Sequence, residues 1–424
     1  MLKLSKDHNI NYCAEVVRIE KLEKHPNADK LQIAVINYNR VITGLSAKEG
    51  DIYVYFPLES AIDKDYLSWS NSFEDKTMNH NPEEKGFFNK HGRVRAVKLR
   101  GELSEGYIVP ASDLSSYLKT IISEYDVGTQ FDSFGDKLLV QKYVPYSKPN
   151  LHTELGSGAR PKNKIQDVLV DGQFNFYSAT EHLKKNIHKF NLDDHIVITQ
   201  KLHGSSFIGS HVLIKRKLSW YEKILKKLRI EIPETKYGYI WSSGKPKSQL
   251  PKGTSEGWTS PTGNYYSEDI WRFEFEKIKA ILPKGYTIYG EIVGHGIQGK
   301  YTYQVPFQER SKLYVYKITV TNPDGTVHTM DWHSLKQFCN KYQIAHVPEL
   351  YVGKLSDFGN TEEEVVKTLC EKYLDKLLPD GLPDEGICIH SYEEKDWFKL
   401  KSPLFILGET EALDKGEENI EDSN

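Results

Sequence analysis

Four short polar blocks, spread between Thr199 and Lys401 and each attached to a run of β-branched and aromatic residues, restrict what this chain can fold into more than any other feature. They are Thr199-Gln200-Lys201-Leu202-His203-Gly204-Ser205-Ser206, Tyr289-Gly290-Glu291, Asp384-Glu385-Gly386 and Lys399-Leu400-Lys401. The runs Ile196 to Thr199, Tyr286 to Val293, Leu313 to Val320, Ile387 to Ile389 and Trp397 to Leu400 read as strands. A cleft between two antiparallel sheets would gather the blocks. Lys399 and Lys401, two apart on a strand, point to one face with Leu400 on the other. Pro403 ends that strand.

A Lys-x-x-Gly match carries little by itself, and the chain has two. Lys98-Leu99-Arg100-Gly101 lies in a basic run without companions, so Lys98 reads as a solvated or phosphate-facing lysine. Lys201 is followed by a carboxylate 90 residues on, a second 94 further, and a Lys-x-Lys pair 14 to 16 beyond that. Each has a bland reading: Glu291 as a strand-end carboxylate, Glu385 as a turn residue, Lys399 and Lys401 as solvated lysines. The ordered set favours chemistry. A lysine attacks phosphorus only when neutral, and its ordinary pKa is about 10.4, so such a site needs local positive charge. Charge built on phosphoryl oxygens calls for cations and a divalent metal. Mg²⁺ prefers one or two carboxylates and its own waters, which suits Glu385 and Glu291. No strong zinc spacing exists.

In this order the blocks resemble the signature of covalent nucleotidyltransferases, and Lys201 to Phe207 is similar to the nucleotidyl-lysine motif of ATP-dependent RNA ligases. The resemblance implies ATP and Mg²⁺ or Mn²⁺ as cofactors and Lys201 as nucleophile. It implies nucleotide contacts from Gln200, Leu202, Gly204, Glu291, Tyr316, Lys399 and Lys401, and metal waters held by Glu385 and Glu291. The chain departs from the pattern at Gln200, where glutamate is usual, at His203, an aspartate in some relatives, and at Lys317, where an acid normally follows the stacking aromatic. Trp241-Ser242-Ser243-Gly244-Lys245 sits where a Ser-Lys motif contacts ribose and nucleic acid.

The first half carries an independent resemblance. His25-Pro26-Asn27-Ala28-Asp29-Lys30-Leu31, with Ile42-Thr43-Gly44 and Gly50-Asp51, looks like tRNA-binding OB-fold domains, although His25 itself reads as a turn residue. Gly86-Phe87-Phe88 and Gly92 to Gly101 resemble the N-terminal domain of the RNA ligase 5 family. Arg93, Arg95 and Lys98, together with Lys245, are candidate RNA contacts; Phe87 and Phe88 could stack on bases or form barrel core. The expected fold is therefore α+β: an N-terminal OB-fold β-barrel over 1–146, a linker over 147–164 rich in Pro, Gly, Lys and Asn, and a two-sheet antiparallel nucleotidyltransferase domain with helices over 165–407. Within the last, Thr361 and Glu364 form a capping-box pattern ahead of Val365, Val366, Leu369, Tyr373 and Leu377, which predicts an amphipathic helix.

A net charge of −3 hides two opposite extremes. Residues 408–424 carry seven acids against one lysine and few apolar residues, so the tail is expected to be disordered. Lys215 to Arg229 holds seven basic residues around Leu218, Tyr221, Leu225 and Leu228. That amphipathic segment could bind RNA phosphates, lie on an anionic membrane, or pack by its leucines with a solvated basic face. Nothing demands a membrane: Met1 to Ile10 lacks the apolar core of a leader, and no run approaches the ~20 apolar residues of a spanning helix. Four unclustered cysteines suit a reducing, cytoplasmic setting. The expected activity is ATP-dependent joining of an RNA 3′-hydroxyl end to a 5′-phosphate end, with a nicked duplex among the candidate substrates and RNA repair as the expected role, without an obligate protein partner. DNA ligases and capping enzymes append a barrel after the catalytic domain, for which the 23 residues beyond Lys401 are too few. The rival of another class is an inactive RNA- or tRNA-binding scaffold.

Overall fold

Adjacent residues of a strand face opposite sides of its sheet, and in the first half both sides are buried. The computed structural model describes residues 1–144, 168–176, 180–243, 269–392 and 396–414; the predicted linker and Lys245 lie outside them. Seven strands frame the first unit: β1 (Ala14–Arg18), β2 (Lys21–Lys24), β3 (Leu31–Ile36), β4 (Asn39–Gly44), β5 (Ile52–Phe56), β6 (Tyr107–Pro110) and β7 (Gln130–Phe131). They pair as an antiparallel sheet in the order β6-β5-β1-β7 and a meander β2-β3-β4. Val16, Val54, Phe56 and Phe131 enter one core, while Val17, Ile36, Tyr53 and Tyr55 enter a second on the other face.

Within the run from Gly92 to Gly101 only Val97–Leu99 forms a strand, pairing with Glu102–Ser104. Upstream of it the Arg93 side chain turns inward, where its Nε and Nη2 donate to the Glu59 carboxylate at 2.9 and 2.8 Å. His25 is the turn residue expected: buried, it accepts the Asn27 N–H at Nδ1 and meets the Leu99 carbonyl through Nε2.

Two sheets build the second unit. One contains β8 (Glu181–His182), β9 (His195–Gln200), β15 (Glu349–Lys354), β16 (Gly386–Ser391) and β17 (Trp397–Lys401), in the order β8-β17-β16-β9-β15. The other contains β10 (Ser205–Lys215), β11 (Thr235–Ser243), β12 (Tyr286–Gly294), β13 (Ser311–Thr321) and β14 (Val327–Thr329), in the order β11-β10-β12-β13-β14, with Ala345–His346 added beside β13. Pairing is antiparallel except for β8 with β17 and Ala345–His346 with β13. Every strand predicted to carry a polar block forms. Val197 and Leu202 meet Phe207, Ile288, Ile292 and Val315 in the core between the sheets.

On its other face the first sheet buries Ile196, Ile198, Ile387 and Leu400 against Val365, Val366 and Leu369 of the helix Glu362–Tyr373. The Thr361 hydroxyl caps that helix by accepting the Glu364 N–H at 3.2 Å, a contribution of about 1 kcal/mol. Glu364 completes the cap one residue earlier than the predicted box, accepting from the Asn360 N–H.

Two expectations change. Gly408 to Asp414 is not disordered but continues the helix Pro403–Asp414, because Phe405 is buried beneath it and Glu409 and Asp414 find lysine and arginine partners. The basic segment forms the helix Trp220–Lys227 with a Ser219–Glu222 capping box, but its apolar face is exposed rather than packed. Among the described residues, no helix is long and apolar enough to cross a membrane.

The barrel meets the second unit through ion pairs and a hydrogen bond. Lys184 donates to Glu105 at 2.7 Å with both side chains largely buried, Lys185 lies 3.7 Å from Glu15, and the Tyr38 hydroxyl donates to Glu362 at 3.1 Å.

Candidate active site

The first polar block forms because β9 stops at Gln200 and β10 starts at Ser205, leaving a four-residue turn between the sheets. Its backbone N–H groups are anchored at Gln200, Lys201, His203 and Gly204. Gln200 N–H donates to the Pro348 carbonyl and Lys201 N–H to that of Gly386, both at 2.9 Å. His203 N–H donates to the Tyr303 hydroxyl at 2.7 Å, and Gly204 N–H to Glu291 Oε1 at 3.2 Å. The Gln298 amide closes the turn on the Gly204 carbonyl at 3.0 Å. Gly204 is required by contact: a Cβ there would sit 2.3 Å from the Ile292 carbonyl oxygen.

The side chain of Lys201 reaches the third and fourth blocks. Its Nζ lies 2.8 Å from Glu385 Oε1, and Lys401 Nζ approaches the same oxygen at 3.2 Å. Lys401 also pairs with Glu409 at 3.3 Å. Glu385 is fully buried, immediately ahead of β16. Burial opposes its charge, but Lys201 and Lys401 outweigh that and hold the carboxyl well below the usual carboxylate range. His203 Nδ1 stands 3.9 Å from the other oxygen, its ring edge-on to Tyr301 and Phe405.

Lys399 stays on the same face as Lys401, its strand position opposite His182 on one side and Cys388 on the other. His182 is partly buried, and desolvation followed by the charges of Lys399, Lys185 and Lys401 holds its imidazole well below the usual range, favouring the neutral form. Burial likewise pushes the Cys388 thiol up to about 11. Next to the lysine, the Gln200 amide donates to Asp384 at 3.0 Å; burial raises the Asp384 carboxyl despite that bond.

Tyr316 owes its setting to a β-bulge. Tyr289 pairs with Lys317 but Gly290 with Val315, so Tyr316 is the extra residue of β13. Such an insertion re-aims a side chain and twists the strand. Tyr316 is partly buried, its ring 6.3 Å from that of Trp397. Gly290 permits the bulge, since a Cβ there would meet the Tyr314 carbonyl at 2.7 Å.

The structure thus brings Gln200, Lys201, Gly204, Glu291, Glu385 and Lys401 together, with Lys399 and Tyr316 on the neighbouring strands. Two predicted contacts differ. Leu202 sends its side chain into the core between the sheets, since the turn places it inward beside Val293 and Leu313. Arg93 is not an exposed RNA contact: its side chain is 1% exposed, bidentate with Glu59, and 3.6 Å from Asp414. Arg95 pairs with Asp414 at 3.0 Å, while Lys98 is exposed on its hairpin. Phe88 is core and Phe87 is exposed. Sequence reading missed His182, Gln298, Tyr303 and Glu409; only the clustering of Tyr301 and Tyr303 among polar residues hinted at one of them.

The donor set fits a divalent ion only in part. Among the described residues no three His, Cys, Asp or Glu side chains converge as a protein cage. A buried carboxylate at Glu385 suits an ion that keeps its waters and shares phosphate oxygens.

Comparison with known proteins agrees with this geometry. Residues 194–401 match the RNA ligase family model, and residues 13–111 match an OB-fold domain model. No curated protein matches the chain significantly. Among solved structures, a Naegleria gruberi RNA ligase mutant with ATP and Mn aligns at TM-score 0.60 and 16% identity over 95% of this chain and 99% of that one. A second mutant with ATP and Mn aligns at 0.59 and 18% over 93% and 98%. The same organism's ligase with PPi aligns at 0.57 and 16% over 95% and 99%. At such identities the likeness shows a shared fold.

Proposed function

We propose that this chain, whose residues 194–401 match the RNA ligase family model behind a matched OB-fold domain, seals a 3′-hydroxyl RNA end to a 5′-phosphate end with ATP through an adenylate on Lys201. The observation that carries this reading is the sharing of one buried Glu385 oxygen by Lys201 and Lys401.

The neutral Lys201 amine attacks the α-phosphorus of ATP; the N–P bond forms as the bond to pyrophosphate breaks, and the amine gives up its proton. Glu385 serves the ammonium form of Lys201, which opposes attack. Lys401 competes for the same oxygen, which loosens that hold and brings a second positive charge near the nucleophile. Lys401 and Lys399 then face the phosphate oxygens where charge grows. A divalent cation, carried through its waters beside Glu385 and Glu291, would supply further neutralisation of the phosphates. AMP passes next to the RNA 5′-phosphate, and the 3′-hydroxyl displaces it. Tyr316 is the candidate base-stacking ring, and Glu291 ties the lysine turn to the second sheet. His203 and Gly204 shape that turn.

RNA is the substrate class implied by the two domains, and Lys98 on the barrel is a candidate phosphate contact. The free thiols of Cys13, Cys339, Cys370 and Cys388 support work in a reducing compartment such as the cytoplasm. The test is incubation with α-labelled ATP and Mg²⁺ or Mn²⁺. Covalent label on the wild type and none on Lys201→Ala is the expected result; a blank wild type under both metals, with GTP also blank, would leave an RNA-binding scaffold.

A further inference from the structure

The hairpin between β10 and β11 carries a surface the ligation chemistry does not use. β10 runs eleven residues away from the lysine turn before the hairpin begins. At about 3.3 Å per residue, this puts its tip roughly 30 Å or more from Lys201. The helix Trp220–Lys227 is folded by its own capping box and by Arg216, which pairs with Glu222 at 2.6 Å, while Lys226 pairs with Glu234 across the hairpin. The element is therefore internally braced, yet its apolar side has no cover among the described residues. Trp220, Ile224 and Leu228 lie one helical turn apart along one stripe, with Tyr221 beside it; their exposures are 75, 48, 66 and 54%. Ile230 just beyond is 49% exposed.

An exposed stripe of this kind needs an occupant, and the charge pattern selects one. The segment 215–234 has seven basic residues against three acidic ones, two of which, Glu222 and Glu234, are already paired. Lys223 and Lys227 follow the stripe on its polar flank, and Lys217 and Arg229 bracket the helix. Cations around a Trp- and Leu-bearing apolar face are the composition of a helix lying in the plane of an anionic membrane surface. RNA would use the lysines and could stack on Trp220 or Tyr221, but it offers nothing to Ile224, Leu228 and Ile230.

We propose that residues 216–230 are a membrane-surface anchor. Trp220, Ile224, Leu228 and Ile230 enter the acyl boundary of an anionic bilayer, while Lys217, Lys223, Lys227 and Arg229 meet lipid phosphates and carboxylates. The sequence left RNA phosphates, an anionic membrane and packing by the leucines open for this segment; the exposed stripe favours the membrane surface.

The test is co-sedimentation of the full chain with phosphatidylcholine vesicles, with and without phosphatidylserine. A double variant, Ile224→Asp with Leu228→Asp, serves alongside Trp220→Ser, which removes one exposed ring and leaves the helix caps intact. Wild type should bind the phosphatidylserine vesicles and weakly bind phosphatidylcholine alone. The double variant should bind at least about tenfold more weakly, the loss expected from withdrawing two large apolar side chains. Trp220→Ser should lose binding in the same direction, and both variants should keep the melting temperature and the Lys201 label. No binding by the wild type would overturn the anchor. So would equal binding by the apolar variants, which would leave only the surface cations, or a loss of RNA affinity in them without vesicle binding by the wild type, which would give the hairpin to RNA.

Discussion

Among the pairs of cations that share one carboxylate, two differ in where that carboxylate is fixed. Lys201 and Lys401 converge on Glu385, which is wholly buried immediately ahead of a central strand. Arg93 and Arg95 converge on Asp414, which lies at the end of the C-terminal helix with its side chain 36% exposed. Arg93 has a second anchor in Glu59, so it is structural, whereas Arg95 depends on Asp414 and the Phe87 carbonyl. Buried cation clusters persist only around a fixed counter-charge, and breaking one costs far more than breaking an exposed pair. The first pair is therefore built for chemistry at one point, while Asp414 can leave Arg95 free at small cost.

The comparison can be broken first at Glu385. Glu385→Gln should lower the rate of Lys201 adenylylation by about a hundredfold or more, measured in single turnovers with α-labelled ATP, as loss of an organising charged group does. A variant within a few fold of wild type would detach Glu385 from the chemistry.

The next effect is on stability. Arg93→Ala should destabilise the barrel by about 3 kcal/mol, seen in denaturant unfolding, since it leaves Glu59 without its bidentate partner. Asp414→Ala should change stability by less than about 1 kcal/mol, because that pair is half-exposed and screened. Similar losses from both would erase the proposed distinction between the two anchors.

Acid should sharpen the same contrast. Glu385 has a folded-state pKa below its unfolded value of about 4.3, so its contribution is full above that value and drains as pH falls toward the lower, folded one. The gap in melting temperature between wild type and Glu385→Gln should therefore hold from neutral pH to about pH 5 and narrow below it. A gap that is already closing at neutral pH would contradict the assigned charge state.

The smallest effect concerns RNA. Asp414→Ala frees Arg95 for a phosphate and should tighten RNA binding about twofold at low salt, with the gain fading as salt rises. Unchanged affinity would mean that Arg95 never faces the RNA.

Much of this was legible in the chain. Lys201, Glu291, Glu385 and Lys401 could be read because their types and order are chemically demanding and strand periodicity fixes which neighbours share a face. Leu202 and Arg93 were misplaced because direction inward or outward depends on the turn and on Glu59, neither of which periodicity encodes. His182, Gln298 and Tyr303 reach the site through contacts that only the tertiary fold creates. The first part of the tail, 408–414, was misread because composition weighed its acids and missed that Glu409 and Asp414 would meet Lys401, Arg93 and Arg95; residues 415–424 lie outside the described residues.

The most direct measurement is peptide mapping by mass spectrometry after incubation with ATP and a divalent metal, comparing the two Lys-x-x-Gly segments in one molecule. A single AMP on the peptide containing Lys201 and none on that containing Lys98 is the expected result. AMP on another lysine, with Lys201 unmodified, would contradict the account.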